Sequence, residues 1–254
     1  MMNEVIRLYE PITLAEMSEV KLMNRIDTKF VTTVQKLTLL LQMAKDAYWM
    51  QEIDGEKNLA YDTTYFDTKD YDMYCMHLHG HTGRQKLRFR TYVSSGLQFM
   101  EVKTKNNHNR TKKKRMAVKD MNINDSDKKQ FLQNHLCYET DDLQPVLNNH
   151  FNRITLVNKA KTERLTIDTC LEFHNLVTGQ DCDMDHLVII ELKRDGLCYS
   201  PVLEMLRQLG IHPHSFSKYC MGSALSNSHL AMNRFKPKLI DIRKMLFTDI
   251  MNNN

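Results

Sequence analysis

The sequence predicts an α+β chain built on a closed or nearly closed antiparallel β-barrel with flanking helices. Three β-like segments follow one another with only short turns between them. Three more follow a helical interval. The polar face of the first set carries cations in a pattern that suits an enclosed tunnel better than a solvated sheet surface.

Taken in order, Gln35–Tyr48 has Leu37, Leu40, Leu41 and Ala44 at helical spacing. Leu59–Thr68 is rich in β formers and reads as a strand, and Asp70–Leu78 as a short helix leading to Gly80. Gln85–Val93, Leu97–Lys105 and Arg110–Val118 form an antiparallel meander, turned at Ser94–Gly96 and at Asn106–Asn109. Asp125–Leu136 and Asp141–Asn149 read as helices. Phe151–Asn158, Glu163–Asp168 and His186–Lys193 read as strands. Pro201–Leu209 is a helix stopped by Gly210, and Ser215–Ser226 is another. From Asn227 the chain is irregular, with a helical patch at Leu239–Phe247.

Composition narrows the function. Of 254 residues, 42% are apolar and 26% charged, as in an ordinary globular chain. No apolar run approaches the ~18 residues of a membrane span, and Glu4 and Glu10 with no apolar stretch argue against a secretory leader. The six cysteines are widely spaced without a CxxC pair, which points to reduced thiols and a cytoplasmic location. With only 8 glycines and neither GxGxxG nor GxxxxGK[ST], Rossmann and P-loop phosphate binding are excluded. The net charge of +4 is unevenly distributed. Arg84–Lys119 holds 12 Lys/Arg and one acid, Glu101, leaving 23 basic and 30 acidic residues elsewhere, a net of −7. Such concentration points to a polyanionic partner.

Five constellations carry candidate chemistry. Lys86, Arg88 and Arg90 project from one strand face, where Arg forks suit phosphate oxygens; a solvated face is the alternative. Glu101, Lys103 and Lys105 share the adjoining face, with Glu101 either a metal ligand or the partner of Arg88 or Arg90. Arg110, Lys112, Lys113, Lys114 and Arg115 make both faces of their strand basic, so about half can line a tunnel. A nucleic-acid patch competes, without any RRM, KH or zinc-finger pattern behind it. Glu191, between Ile190 and Leu192 and on the face of Lys193, is a candidate Mg²⁺ or Mn²⁺ ligand or a salt-bridge partner. His77, His79 and His81 would share a face on a strand and could bind zinc, but Gly80 and the helical lead-in favour a loop.

The ordered stretches Asn24–Phe30, Thr64–Thr68, Leu87–Arg90, Phe99–Lys103, Glu163–Asp168, Ile190–Lys193 and Ser215–Tyr219 resemble the VTC domain of the CYTH-like triphosphate tunnel superfamily. The resemblance implies residues 1–21 as a lead-in, 22–226 as the tunnel domain and 227–254 as a tail with a short helix. It implies a barrel lined with Lys and Arg that, with Mn²⁺ or Mg²⁺, moves the ATP γ-phosphate onto inorganic polyphosphate. The implied phosphate-handling residues are Lys29, Arg88, Arg90, Lys103, Arg153, Arg164 and Lys218. Lys86, Lys105, Lys113, Arg115, Ser217 and Tyr219 are implied as substrate contacts, Lys105 in place of a tunnel-lining His, and Glu191 as the metal carboxylate. Hydrolytic members carry an N-terminal ExExK, whereas Ile26–Phe30 keeps only Lys29, which favours the polymerase branch. The sequence is expected to lack the sensing module and membrane helices of the eukaryotic polymerase, so coupled translocation would need a separate membrane partner. A triphosphatase, a nucleotide cyclase and a non-catalytic polyphosphate-binding module are the rivals; no specific nucleic acid is expected.

Overall fold

A computed structural model describes residues 2–18, 20, 25–106 and 111–251. The helices are α1 (Met2–Arg7), α2 (Leu14–Met17), α3 (Val34–Ala44), α4 (Asp72–Leu78), α5 (Ser126–His135), α6 (Pro201–Gln208), α7 (Lys218–Ser226) and α8 (Lys236–Met251). The strands are β1 (Pro11–Ile12), β2 (Arg25–Thr33), β3 (Tyr48–Gln51), β4 (Leu59–Thr68), β5 (Gln85–Tyr92), β6 (Gln98–Lys105), β7 (Thr111–Val118), β8 (Leu143–Asn158), β9 (Glu163–Asn175), β10 (Asp181–Met184) and β11 (Leu187–Asp195).

The main sheet runs β2-β11-β9-β8-β4-β5-β6-β7, antiparallel at every step. It curls into a half-barrel rather than the closed or nearly closed barrel expected, because its end strands β2 and β7 do not pair with each other. Part of the β2 edge is taken by a crossing segment: His214 N–H donates to Lys29 O at 2.8 Å, and Phe30 bridges Pro213. Proline has no N–H with which to continue such a ladder. The β7 edge is exposed and lysine-rich, a composition that discourages further pairing.

Strand alternation sorts the two faces. On β11, Val188, Ile190 and Leu192 face outward into a core with Leu37, Leu40 and Leu41 of α3 and Val202 and Leu206 of α6. Leu87, Phe89, Met100 and Val102 pack outward against Leu132 of α5 and the adjoining Leu136. One end of the concave face is filled by α7: Tyr219, Met221 and Ala224 join Tyr61, Tyr65, Phe151 and Ile189. α4 and α8 join this core through Tyr74 and through Leu239 and Ile242.

The expected helix Asp141–Asn149 is a short 3-10 turn, Thr140–Asp142, followed by the first part of β8. Leu143, Val146 and Leu147 have helix-like spacing, but it arises where the β4–β8 register shifts at Tyr65/Phe66. The tail holds a full helix, α8, rather than a short patch. Asn107–Asn109 of the second predicted turn, with Arg110, Leu22 and Asn24, lie outside the described residues.

Gly222 sets how closely α7 approaches the sheet. A Cβ there would lie 2.9 Å from Leu147 Cδ2 and closer still to the Phe173 ring. Gly222→Ala gains about 1 kcal/mol of helix propensity but pays about 1–3 kcal/mol of overpacking. Thermal melting should show a net loss; a more stable variant would mean that α7 is free to shift.

Candidate phosphate site on the concave face

Directly opposed residues of an antiparallel pair share a face, so register alone assembles the site. Lys29, Glu191, Thr166 and Thr155 form one cross-strand row. Ile189, Asp168 and Arg153 form the next. On the other wall, Tyr65, Arg88, Glu101 and Arg115 form a row beside Lys86, Lys103 and Lys113. Lys112 and Lys114 fall on the opposite face of β7, which decides which half of that basic run turns inward.

Three carboxylates are each held between two cations. Arg88 Nε donates to Glu101 Oε2 at 2.7 Å, and Lys113 Nζ to Glu101 Oε1 at 3.0 Å. Arg153 forks onto Asp168 at 2.6 and 2.8 Å, while Lys218 Nζ lies 2.9 Å from Asp168 Oδ2. Lys29 pairs with Glu191, whose other oxygen lies 2.9 Å from Lys193 Nζ. Burial alone would raise all three carboxyls. Their paired cations outweigh it and hold each well below the usual carboxylate range.

Among the cations beyond these triads are Arg90, Lys103 and Arg164. Arg90, almost fully buried, donates to Thr63 Oγ1 at 3.3 Å and lies 5.6 Å from the Tyr61 and Phe151 ring centres. Burial, then Arg88 and Arg153, push its pKa down to about 10. Burial, then Arg88 and Arg90, push the Lys103 ammonium well below its ordinary value. Arg164 Nε is buried without a hydrogen-bond partner, and burial with Arg25 and Arg153 depresses its pKa. The aromatic floor helps tolerate this charge without neutralising it: Arg153 lies 5.1 Å from the Tyr61 ring centre and Lys218 2.7 Å from that of Phe151. A surplus of positive charge, buried at Arg90 and half-buried at Lys103 and Arg164, is costly unless an anion completes it.

Most of the predicted site residues meet on this face. Ser217 caps α7, accepting from Cys220 N–H, and receives a hydrogen bond from Lys86 Nζ at 2.7 Å. Arg115 stacks on Phe99 at 4.8 Å at an exposed rim. Lys105 continues the row toward the start of β5. Tyr219 is set apart: its hydroxyl is buried and donates to Asp67. Asp67 also accepts from Met73 and Tyr74 N–H at 2.9 Å each. Tyr219 thus ties α7 to β4 and α4 instead of presenting a hydroxyl to substrate. The histidines do not share a strand face: His77 lies in α4 and His79 caps it. In the sequence Asp168 stands out only as the end of the strand Glu163–Asp168; its role as counter-charge to Arg153 and Lys218 comes from the structure. The alternation Arg164-x-Thr166-x-Asp168 was the available signal.

The VTC domain matches residues 24–227, and the chain belongs to that family. Among solved structures, it is similar to the putative adenylyl cyclase HpAC1 from Hippeastrum, described as having a dominant triphosphatase activity. The TM-score is 0.52 at 14% identity, over 83% of this chain and 98% of that one. It is also similar to a hypothetical protein of Pyrococcus furiosus, with TM-score 0.40 and 12% identity over 76% and 97% of the two chains. The PH1819 protein of Pyrococcus horikoshii gives TM-score 0.41 and 14% identity over 79% and 98%. No curated protein matches the chain. Among the described residues, no helix is long and apolar enough to cross a membrane.

Proposed function

We propose that the chain is a metal-dependent phosphotransferase of the polyphosphate polymerase type, moving the ATP γ-phosphate onto inorganic polyphosphate. The observation that carries this reading is the surplus of cations, Arg90 buried and Lys103 and Arg164 half-buried, beside three carboxylates already matched by two cations each. Phosphoryl transfer depends mainly on positioning and on neutralising phosphate oxygens, which fixed cations supply. In this reading Arg88, Arg90, Lys103 and Arg153 orient the phosphate chain, with Lys218 and Ser217 approaching from the α7 end.

Among the described residues, no group of three His, Cys, Asp or Glu side chains forms a metal cage. The donor set fits a cation that arrives with its substrate, since Mg²⁺ is commonly held by one or two carboxylates plus phosphate oxygens and water. Glu191 is the residue that would hold it. Lys29 or Lys193 must then release a carboxylate oxygen, and incoming phosphate offers that lysine another partner. When bound, Mn²⁺ or Mg²⁺ would supply Lewis-acid neutralisation of phosphate charge. The reading places the protein in the cytoplasm with ATP and polyphosphate, and leaves any membrane role to a separate partner.

The test is incubation with ATP and Mn²⁺, followed by gel resolution of polyphosphate and analysis of small products. Chain growth supports the proposal. Free phosphate alone would assign a triphosphatase, a cyclic nucleotide a cyclase, and binding without turnover a polyphosphate-binding module. Lys29→Ala should weaken tripolyphosphate binding by about 1.5–3 kcal/mol, the worth of a charged hydrogen bond. Unchanged affinity by titration calorimetry would remove Lys29 from the site.

A further inference from the structure

Beyond Lys86 and Lys103, the cationic face continues to the end where β5 begins and β6 finishes. Lys105 N–H donates to Arg84 O at 3.0 Å, placing these residues side by side in the next row. The segment between Gly210 and α7 crosses this end, and two lysines from distant elements grip it. Lys86 Nζ donates to Ser217 Oγ at 2.7 Å, and Lys238 Nζ, from α8, donates to Ser215 Oγ at 2.5 Å. Lys238 lies beyond the 24–227 span of the family match.

The helix bearing Lys238 is anchored at this end. Phe235, just before α8, is buried, with its ring 5.8 Å from Tyr74 and 6.1 Å from His77. Arg234 donates to His79 O at 2.5 Å. Burial, and then Lys86, Arg84, Lys238 and Lys105, push the His77 pKa down to about 2. Lys86 and Lys238 thus meet one segment two residues apart, and Arg84 and Lys105 lie in the row after Lys86 and Lys103, so four cations from β5, its leading loop, β6 and α8 gather at this end. Such convergence is self-repelling without an anion.

We propose that Arg84, Lys86, Lys105 and Lys238 form a mouth subsite for the distal phosphates of a linear chain longer than a triphosphate. α8 supplies the element that distinguishes long chains from short ones. This rests on the polyphosphate reading above. A triphosphate seated among Arg88, Arg90, Lys103 and Arg153 leaves the mouth cations unmatched, whereas a longer chain running along the same face reaches them.

The experiment compares binding of long-chain polyphosphate and of tripolyphosphate by the full chain, without nucleotide. Lys238→Ala should lose about fivefold in affinity for the long chain, the scale of one half-exposed charge contact. It should lose less than twofold for tripolyphosphate. Lys238→Arg should restore most of the loss, and Lys238→Glu should deepen it. Thermal melting of the variants separates a loosened α8 from a lost contact. Equal losses for both ligands, or no loss for either, would overturn the mouth subsite. Failure of the unaltered protein to bind either ligand would instead overturn the underlying polyphosphate reading.

Discussion

On the proposed polymerase reading, Glu191→Gln should lower ATP-dependent polyphosphate synthesis by about 10²-fold or more, the scale of one lost transition-state electrostatic contact. Metal-free polyphosphate binding should be kept or tightened. Glu191 follows Val188, Ile189 and Ile190, all buried, so its backbone position is rigid. Its carboxylate pairs with both Lys29 and Lys193. The amide preserves shape but removes the negative charge a hard cation requires. It also releases two ammonium groups toward phosphate, which is why binding should not weaken. Turnover, metal titration and thermal melting on this one variant separate the roles of Glu191. A lower melting temperature with an unaltered metal response would leave it a salt-bridge partner only.

Asp168→Asn should cost about 3–5 kcal/mol of stability, because it leaves Arg153 and Lys218 buried without their counter-charge. Tripolyphosphate should recover much of the loss by supplying the missing negative charge. The pH dependence follows from the carboxyl. Burial would raise its pKa, but Arg153 and Lys218 outweigh burial and hold it well below the ordinary 3.8. The folded state therefore binds this proton less readily than the unfolded state. The stabilisation is full above the unfolded pKa and is lost as pH falls through the folded one. Wild-type protein should lose this contribution in acid, whereas the Asn variant should lack it at every pH. Equal melting temperatures at neutral pH would rule out the buried counter-charge role.

The meander from Gln85 to Val118 was legible because each strand carries its own period-two pattern and the first turn is marked by Ser94-Ser95-Gly96. Its register was legible only as adjacency. The expected choice of Arg88 or Arg90 as partner for Glu101 falls to Arg88, directly opposite it. The β8 segment was misread where a bulge alters strand phase, since a shift of one residue turns side chains to the other face. α7 was legible as a helix but not as a plug. Its fit depends on Gly222 meeting Leu147 and Phe173, which come from two strands far away in sequence.

By itself the sequence determined the alternation that separates an apolar outer face from a cationic inner one, the concentration of net positive charge in Arg84–Lys119, and the placement of Glu191 on a core strand. These are local properties, set by backbone period and side-chain chemistry. Only the tertiary structure decided which cations are matched and which remain in surplus. Asp168 meets Arg153 from the neighbouring strand and Lys218 from α7, while Lys238 reaches the mouth on a helix beyond the family domain. It also decided that the barrel stays open, because Pro213 and His214 meet β2 and do not continue its ladder to β7. Charge matching depends on distances between segments far apart along the chain, and those distances exist only once the sheet has curled.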